Sequence, residues 1–452
     1  MIKSSKTWWD RFLFRDRGIV PTKKLMILYG ILVIPILIIT SLYPNWLAFI
    51  VVNVMVLAIS LIDVLLLPRR KALTLRRTDG LEIERGATVT IDMAVSNRSK
   101  RPIRFSLIDH LPDTFTRPFP IQGELAGETT TIIKYPTKAA VRGDYSLGET
   151  SLRYRSLLGL WEKQMLFSLP TSIKVIPDMT SMREAISTAA PLLTHEGHRP
   201  KRNRRGSGEF SQVRSFVIGD DPRKINWRQS AKAMALMTNV HEPEHGKHIA
   251  LLLDCGRTMG VELKETNRLE RSLEALLTVS AVALKQGDRV SVVAFSNQIK
   301  AYVPPGKGID HFHTIVEELY DLHSDQNETN LATAFTFFNQ RQRRRSLIML
   351  FSDLDAFLYD EMAWASFELL KRRHFTLILS LADPILADVA GQSPESPEHA
   401  LMIAAAEREL IKRRQAMRRW RSIGGALTEV PEEQLAASAL SRYIDIMNRE
   451  VI

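Results

Sequence analysis

One cysteine, Cys255, occurs in 452 residues, which excludes an intramolecular disulfide and any reliance on an oxidising compartment. No G-x-x-x-x-G-K-[ST] run is present, so no Walker A lysine cradles a triphosphate and any linked ATP hydrolysis belongs to a partner. Acidic residues are in deficit, 50 against 61 Lys and Arg, for a formal charge of +11. That balance suits nucleic acid or an anionic lipid surface, and membrane proteins reach it through basic flanks. Single cores stop growing near ~250–300 residues, so several folded units are expected.

Residues 25–43, LMILYGILVIPILIITSLY, carry no charge, and about 20 such residues cross a bilayer core as a helix. Pro35 is tolerated there as a kink. After Pro44-Asn45 a second apolar run, Trp46 to Leu67, holds Asn53 and Asp63 as its strong polar groups, with Asp63 close enough to the end to reach the interface. The pattern predicts a transmembrane helical hairpin over 25–67 behind a basic tail over 1–24. Lys3, Lys6, Arg11, Arg15, Arg17, Lys23 and Lys24 precede it, and Arg69, Arg70, Lys71, Arg76 and Arg77 follow. The positive-inside rule then places both termini in the cytoplasm, with two spans in the inner membrane. A cleaved signal peptide fits poorly, because the polar leader is long and no A-x-A site follows. Trp8, Trp9, Phe12 and Phe14 among basic residues suit an interfacial helix.

Residues 73–178 read as a β-rich, sandwich-like domain. Period-two alternation runs through Thr88 to Val95 and Thr129 to Tyr135, and turn signals recur at Asp79-Gly80, Asn97-Arg98-Ser99, Gly123, Gly127, Arg142-Gly143-Asp144 and Gly159. The spacing predicts a small antiparallel sandwich. No cluster of titratable groups is legible in it, which points to a spacer or an interaction platform.

Residues 179–245 read as a linker with a signature block. A loop rich in Arg and Gly, residues 199–208, leads into Glu209-Phe210-Ser211-Gln212-Val213-Arg214 and then Gly219-Asp220-Asp221-Pro222-Arg223-Lys224-Ile225-Asn226-Trp227. Adjacent carboxylates beside Pro, Arg and Trp suit a rigid turn that caps a helix and pairs its own charges. The ordered block G-E-F, V-R, G-D-D-P-R-K-I-N-W resembles the signature of the bacterial family known as domain of unknown function 58. Gly219, Asp220, Asp221, Pro222, Arg223 and Trp227 stand at its signature positions, and the resemblance runs from the two spans to the C-terminus. It implies a membrane-anchored protein that partners MoxR-type AAA+ ATPases in remodelling other proteins.

Residues 246–452 predict an α/β doubly wound, Rossmann-type domain with C-terminal helices. Ile249 to Leu253, Arg289 to Phe295, Ser346 to Phe351 and Phe375 to Leu381 are buried-strand runs separated by helical patterns. Ligands of such sheets sit at the carboxyl ends of strands, where Asp254 to Thr258 and Ser352 to Asp355 fall, with Thr329 in a loop between. This resembles the metal-ion-dependent adhesion site of von Willebrand factor A domains, D-x-S-x-S followed by Thr and Asp, and implies Asp254, Thr258, Thr329 and Asp353 as ligands of Mg2+ or Mn2+. Gly256 departs from the pattern by lacking a side-chain oxygen. A bare structural alternative has Asp254 and Asp353 capping the helices that follow them.

The expected function is therefore membrane-tethered protein recognition without turnover, through the degenerate adhesion-like site, where an acidic side chain of a protein partner fills the open position of the metal. The other readings are a metal-dependent hydrolase at the membrane, using Asp353 with Asp355 or a metal-bound water at Asp254, and a membrane-attached nucleic-acid binder. His241-Glu242-Pro243-Glu244-His245 satisfies H-E-x-x-H formally, but an interior proline breaks the helix that the motif needs. Cys255, after an apolar strand, reads as a small buried residue. Arg341 to Arg345 and Lys412-Arg413-Arg414, with Arg418, Arg419 and Arg421, read as solvated helix faces, and nucleic acid is not the expected partner.

Overall fold

The computed structural model describes residues 18–42, 46–78, 80–156, 158–195, 209–217, 220, 222–242, 246–264, 266–354, 356, 361–422 and 426–448, and the chain falls into two units, Met1–Ile176 and Pro177–Ile452. In the first, a strand β1 (Ile19–Pro21) precedes helices α1 (Lys23–Leu42) and α2 (Trp46–Leu66). Strands β2 (Leu73–Arg77), β3 (Leu81–Glu84), β4 (Thr88–Asn97), β5 (Ile103–Asp109), β6 (Ile121–Leu125), β7 (Thr129–Lys138), β8 (Gly143–Arg155) and β9 (Trp161–Ile176) follow. One sheet orders β1-β9-β8-β5-β6, with β3 also on β9, and the other orders β2-β4-β7. Pairing is antiparallel throughout except for β3, which runs parallel to β9, so the expected all-antiparallel sandwich is in fact mixed. Alternate residues of β4 and β5 turn inward, as the strand period dictates, and Ile91, Met93, Val95 and Leu107 join Leu152 and Val175 in one core.

That core encloses a charged cluster that the sequence does not display. The Arg77 guanidinium and the Asp109 carboxylate pair with both side chains fully buried, Thr150 Oγ1 donates to Asp109 Oδ1 at 2.9 Å, and the Tyr135 hydroxyl donates to Asp109 Oδ2. Burial, reinforced by the Asp109 charge, pushes the Tyr135 hydroxyl far above its ordinary range, so it stays a donor. The members come from β2, β5, β7 and β8, and only the pairing of distant strands brings them together.

Among the described residues one helical stretch, Phe49–Ala72, is long and apolar enough to cross a membrane. Helices α1 and α2 pack side by side, joined by the Tyr29 hydroxyl donating to Asn53 Oδ1 at 2.7 Å. Their other faces expose Met26, Ile31, Leu47, Leu57 and Leu65, an apolar surface of the kind that marks a membrane or protein contact. Asp63 is not turned toward water. It is fully buried at the tip of the β8–β9 hairpin, where it accepts from Ser156 Oγ and from the backbone N–H groups of Leu160 at 2.9 Å and Trp161 at 3.0 Å. The tip turns tightly through Gly159, whose φ of +68° suits glycine. Thr22 Oγ1, just before α1, donates to the Gly159 carbonyl at 2.7 Å.

The second unit centres on a six-stranded sheet ordered β14-β13-β12-β15-β16-β17, from β12 (His248–Asp254), β13 (Arg289–Phe295), β14 (Ile299–Gly306), β15 (Ser346–Phe351), β16 (Phe375–Leu381) and β17 (Ala426–Val430). All neighbours are parallel except β13 and β14. This is the order 3-2-1-4-5-6 of doubly wound sheets, carrying an antiparallel edge strand. The stretch read as a linker holds a helix, α3 (Thr180–His195), and a hairpin of β10 (Glu209–Ser215) and β11 (Met237–Glu242) enclosing α4 (Trp227–Ala233). Helix α3 packs on α5 (Arg268–Lys285). Helices α6 (Gly308–Leu319), α7 (Leu331–Arg341), α8 (Glu361–Lys371), α9 (Pro384–Ala390), α10 (Pro397–Ser422) and α11 (Leu435–Asn448) complete the unit. Trp420 on α10 is buried at 1% exposure against Trp364 and Phe367 of α8, which fixes the rotation of that long helix.

Replacing Asp63 by Ala leaves the buried N–H of Leu160 and the half-buried N–H of Trp161 without their acceptor, at about 1–3 kcal/mol for the buried one. Thermal unfolding of the full chain in detergent should show a clear drop in Tm for Asp63→Ala and a smaller one for Asp63→Asn, which keeps an acceptor oxygen; an unchanged Tm in the alanine variant would refute the role given to this contact.

Candidate functional site

The order of the sheet decides where a site can form. Chain leaving β12 passes to β13 on one side, while β15 lies on the other, and the crevice between those connections opens at the carboxyl ends of both strands. Asp254 ends β12, and Ser352 and Asp353 follow β15. Asp254 is fully buried. Its Oδ1 accepts from Gly256 N at 2.8 Å and Thr329 Oγ1 at 2.7 Å, and its Oδ2 accepts from Ser352 Oγ at 2.6 Å. Burial pushes its carboxyl up to about 6, the three hydrogen bonds opposing the rise and Asp353 adding to it.

Backbone bonds fasten the loops around it. Cys255 N donates to Phe295 O at 2.7 Å, Asp325 N to Cys255 O at 2.6 Å, and Arg257 N to Asn327 O at 2.9 Å. Lys300, 2.7 Å away, together with Asn327 and Ser296, holds the Asp325 carboxyl well below the usual range. Thr258 is in the same loop, with its hydroxyl buried and making no hydrogen bond among the described residues. Cys255 is buried, as its place after an apolar strand implies, and its Sγ lies 3.8 Å from Leu253 O.

Asp353 is oriented differently from the expectation that it shares a cation with Asp254. At 2% exposure, it faces the guanidiniums of Arg268 and, at 3.4 Å, Arg413. Arg268 also reaches Asp383 at 3.0 Å, and Arg413 reaches Glu429 at 3.2 Å. Arg413 is therefore no member of a solvated face: it is buried on the same side of α10 as Trp420, two turns along. Arg268 stands at the first position of α5, after the Asn267 cap, where the positive end of the helix dipole disfavours a cation. That misplaced charge is the signal in the sequence that marks a buried carboxylate partner.

The side chains present do not suit a divalent cation. Mg2+ needs oxygen ligands at about 2.0–2.1 Å in near-octahedral array. A Cβ at Gly256 would sit 2.1 Å from Thr329 Oγ1, so the hydroxyl that a serine would offer has no room. Both Asp254 oxygens already accept hydrogen bonds, and both Asp353 oxygens face arginine. Asp355 lies outside the described residues.

The signature block folds as a turn that pairs its own charges. Asp220 accepts from Val217 N at 3.0 Å and from Arg214 at 2.8 Å, Pro222–Lys224 form one 3-10 turn, and Asn226, not an acidic residue, caps α4. Arg223 lies in that turn and Trp227 opens α4 at 70% exposure; Gly219 and Asp221 fall outside the described residues. His241 and Glu242 end a strand, so the H-E-x-x-H run lacks the helix on which two histidines would share a face; residues 243–245 are not described.

A family model described as "Protein of unknown function DUF58" matches residues 212–419. The uncharacterized protein YeaD of Bacillus subtilis (strain 168) is 23% identical over 202 residues, 43% of this chain and 46% of that protein, so this chain spans about half the length of the curated relative it matches. Among solved structures, the conserved hypothetical protein BatB from Bacteroides thetaiotaomicron is matched over 45% of this chain and 100% of that one, at 13% identity and a TM-score of 0.29. The ASH/PapD-like domain 7 of human CEP192 is matched over 24% of this chain and 89% of that one, at 15% identity and a TM-score of 0.19.

The raised carboxyl of Asp254 sets a pH signature. Its folded value of about 6 exceeds the unfolded value near ~3.9, so the native state binds the proton more tightly and stability from this group falls as pH rises through that window. Asp254→Asn removes the titration. Between pH 4 and pH 7 the wild type should lose up to about 3 kcal/mol relative to the variant, as read by chemical denaturation of both at each pH; parallel curves would disprove the assignment.

Proposed function

We propose that this chain is a membrane-tethered protein-interaction module whose α/β unit is a von Willebrand factor A-like domain, working with a MoxR-type AAA+ ATPase in assembly or remodelling of other proteins. The 3-2-1-4-5-6 sheet with its antiparallel edge, and the placing of Asp254, Thr258 and Thr329 at the switch point, support the domain reading. The two apolar helices with exposed lipid-compatible faces, and the Lys and Arg residues flanking them, support two spans of an inner membrane with both termini cytoplasmic. The ATPase as partner rests on the resemblance of the signature block.

The observation that carries recognition is a groove of about 830 Å³ that starts at Thr329 and runs between α7 and α8. Asn330, Thr333, Thr336 and Gln340 line one side of it and Met362 the other. The inner face of α7 is sealed by Leu331, Ala334, Phe335 and Phe338, so the polar face is free to face a ligand. Beside the Glu328 carboxylate, the lining is amide and hydroxyl groups that donate and accept without charge, which suits a polypeptide backbone, with Phe337 and Met362 as apolar anchors. The hydrolase reading through Asp353 and Asp355 has no such support, because the Asp353 carboxylate is buried against two guanidiniums; its other form, a metal-bound water at Asp254, needs a cation that the crevice does not suit.

Arginines placed at Thr333 and Thr336, both on the outer face, should fill the groove at little cost to stability. Thr333→Arg/Thr336→Arg should abolish co-purification of an AAA+ ATPase from native membranes while leaving Tm within about 2 °C; undiminished recovery of the ATPase would exclude the groove as its contact.

A further inference from the structure

We infer that Arg268 and Arg413 are the resident cations of the crevice, taking the place that a divalent metal holds in an adhesion site, so that recognition there needs no metal and Arg268 is the residue that keeps metal out. The inference rests on reading this unit as von Willebrand A-like, and it concerns the charge of the site.

Charge and geometry agree on it. Two guanidiniums supply the same formal +2 as one divalent ion, and they deliver it to the two oxygens of Asp353, Arg268 Nη1 on Oδ2 and Arg413 Nη2 on Oδ1. Both oxygens of that carboxylate already carry a guanidinium, so a divalent cation would have to approach against two fixed positive charges. Each arginine also holds a second carboxylate, Arg268 that of Asp383 and Arg413 that of Glu429, so the ends of β15, β16 and β17 are tied through fixed charges. Arg268 and Arg413 are 4% and 3% exposed, and a cation that deep persists only when carboxylates surround it. A guanidinium keeps its charge at any working pH and holds two planar partners at once; a metal ion, by contrast, exchanges with solvent and can be chelated. On the Asp254 side, Thr329 Oγ1 fills the space that a serine at Gly256 would need, so both halves of a metal site are closed by groups of the chain itself.

The experiment uses the full chain in detergent, titrated with MnCl2 and MgCl2. Binding is read by loss of the free Mn2+ electron paramagnetic resonance signal, by calorimetry, and by Tm with and without chelator. The wild type should show no saturable binding and the same Tm in millimolar Mg2+ as in EDTA. Arg268→Gln, which uncovers Asp353 Oδ2 and leaves the negative charge, should bind Mn2+ saturably and gain about 3 °C or more in Tm at millimolar Mn2+; adding Asp353→Asn should erase both. Arg268→Lys, which keeps the charge, should stay silent. Should Arg268→Gln fail to fold, Arg413→Gln makes the same test from Oδ1. Saturable binding by the wild type that Asp353→Asn removes would overturn the inference, and so would silence in both folded glutamine variants. Metal binding is read with no partner present, so loss or survival of ATPase capture by the groove variant leaves these outcomes distinct.

Discussion

A carboxylate withdrawn from water at the end of a buried strand must meet a counter-charge inside the protein, and much of the second unit is arranged around meeting that demand at Asp353. The arginines that answer it come from the first turn of α5 and the middle of α10. Each lies on the inward side of its helix, Arg268 after the Asn267 cap on the sealed body of α5 and Arg413 on the side of Trp420. The insertion between β16 and β17 thus has a structural reason, since without α10 the Asp353–Glu429 pair would lack a cation between them. Removing one partner of such a buried set strands the others, which costs far more than the set itself contributes.

Asp254 meets the same problem by a different route. Among the described residues no cation pairs with it; neutral donors from Gly256, Thr329 and Ser352 carry its charge, and its affinity for a proton rises instead. Two carboxylates at one switch point therefore have different chemistry, one fixed by ion pairs and the other titratable in mildly acid solution. The groove that begins at Thr329 borders the titratable one.

Much of this architecture is legible in the residues. The apolar runs, the alternation over β4 and β7, and the buried strands of the α/β sheet each follow from a single local period. The crevice is legible because strand ends are. What the pattern conceals are long-range pairings. Arg77, Asp109 and Tyr135 look unrelated until β2, β5 and β7 close on one another, and Arg413, inside a basic run, is told from its neighbours Lys412 and Arg414 only by which side of α10 faces Trp420. Asp63 misleads for the same reason. A lone carboxylate near the end of an apolar run reads as reaching for water, whereas the donors it finds are backbone N–H groups about 100 residues later in the chain.

The grip on Asp63 has a mechanical consequence. A membrane helix normally adapts to bilayer thickness by tilting and turning about its own axis, at fractions of a kcal/mol per ångström of mismatch. A carboxylate bonded to two successive peptide groups of the hairpin fixes the azimuth of α2 at that end, so in the two-span arrangement proposed above accommodation to a thicker or thinner bilayer would fall to its opposite end and to α1. The helix pair would then behave as a clamped cantilever rather than a floating tether.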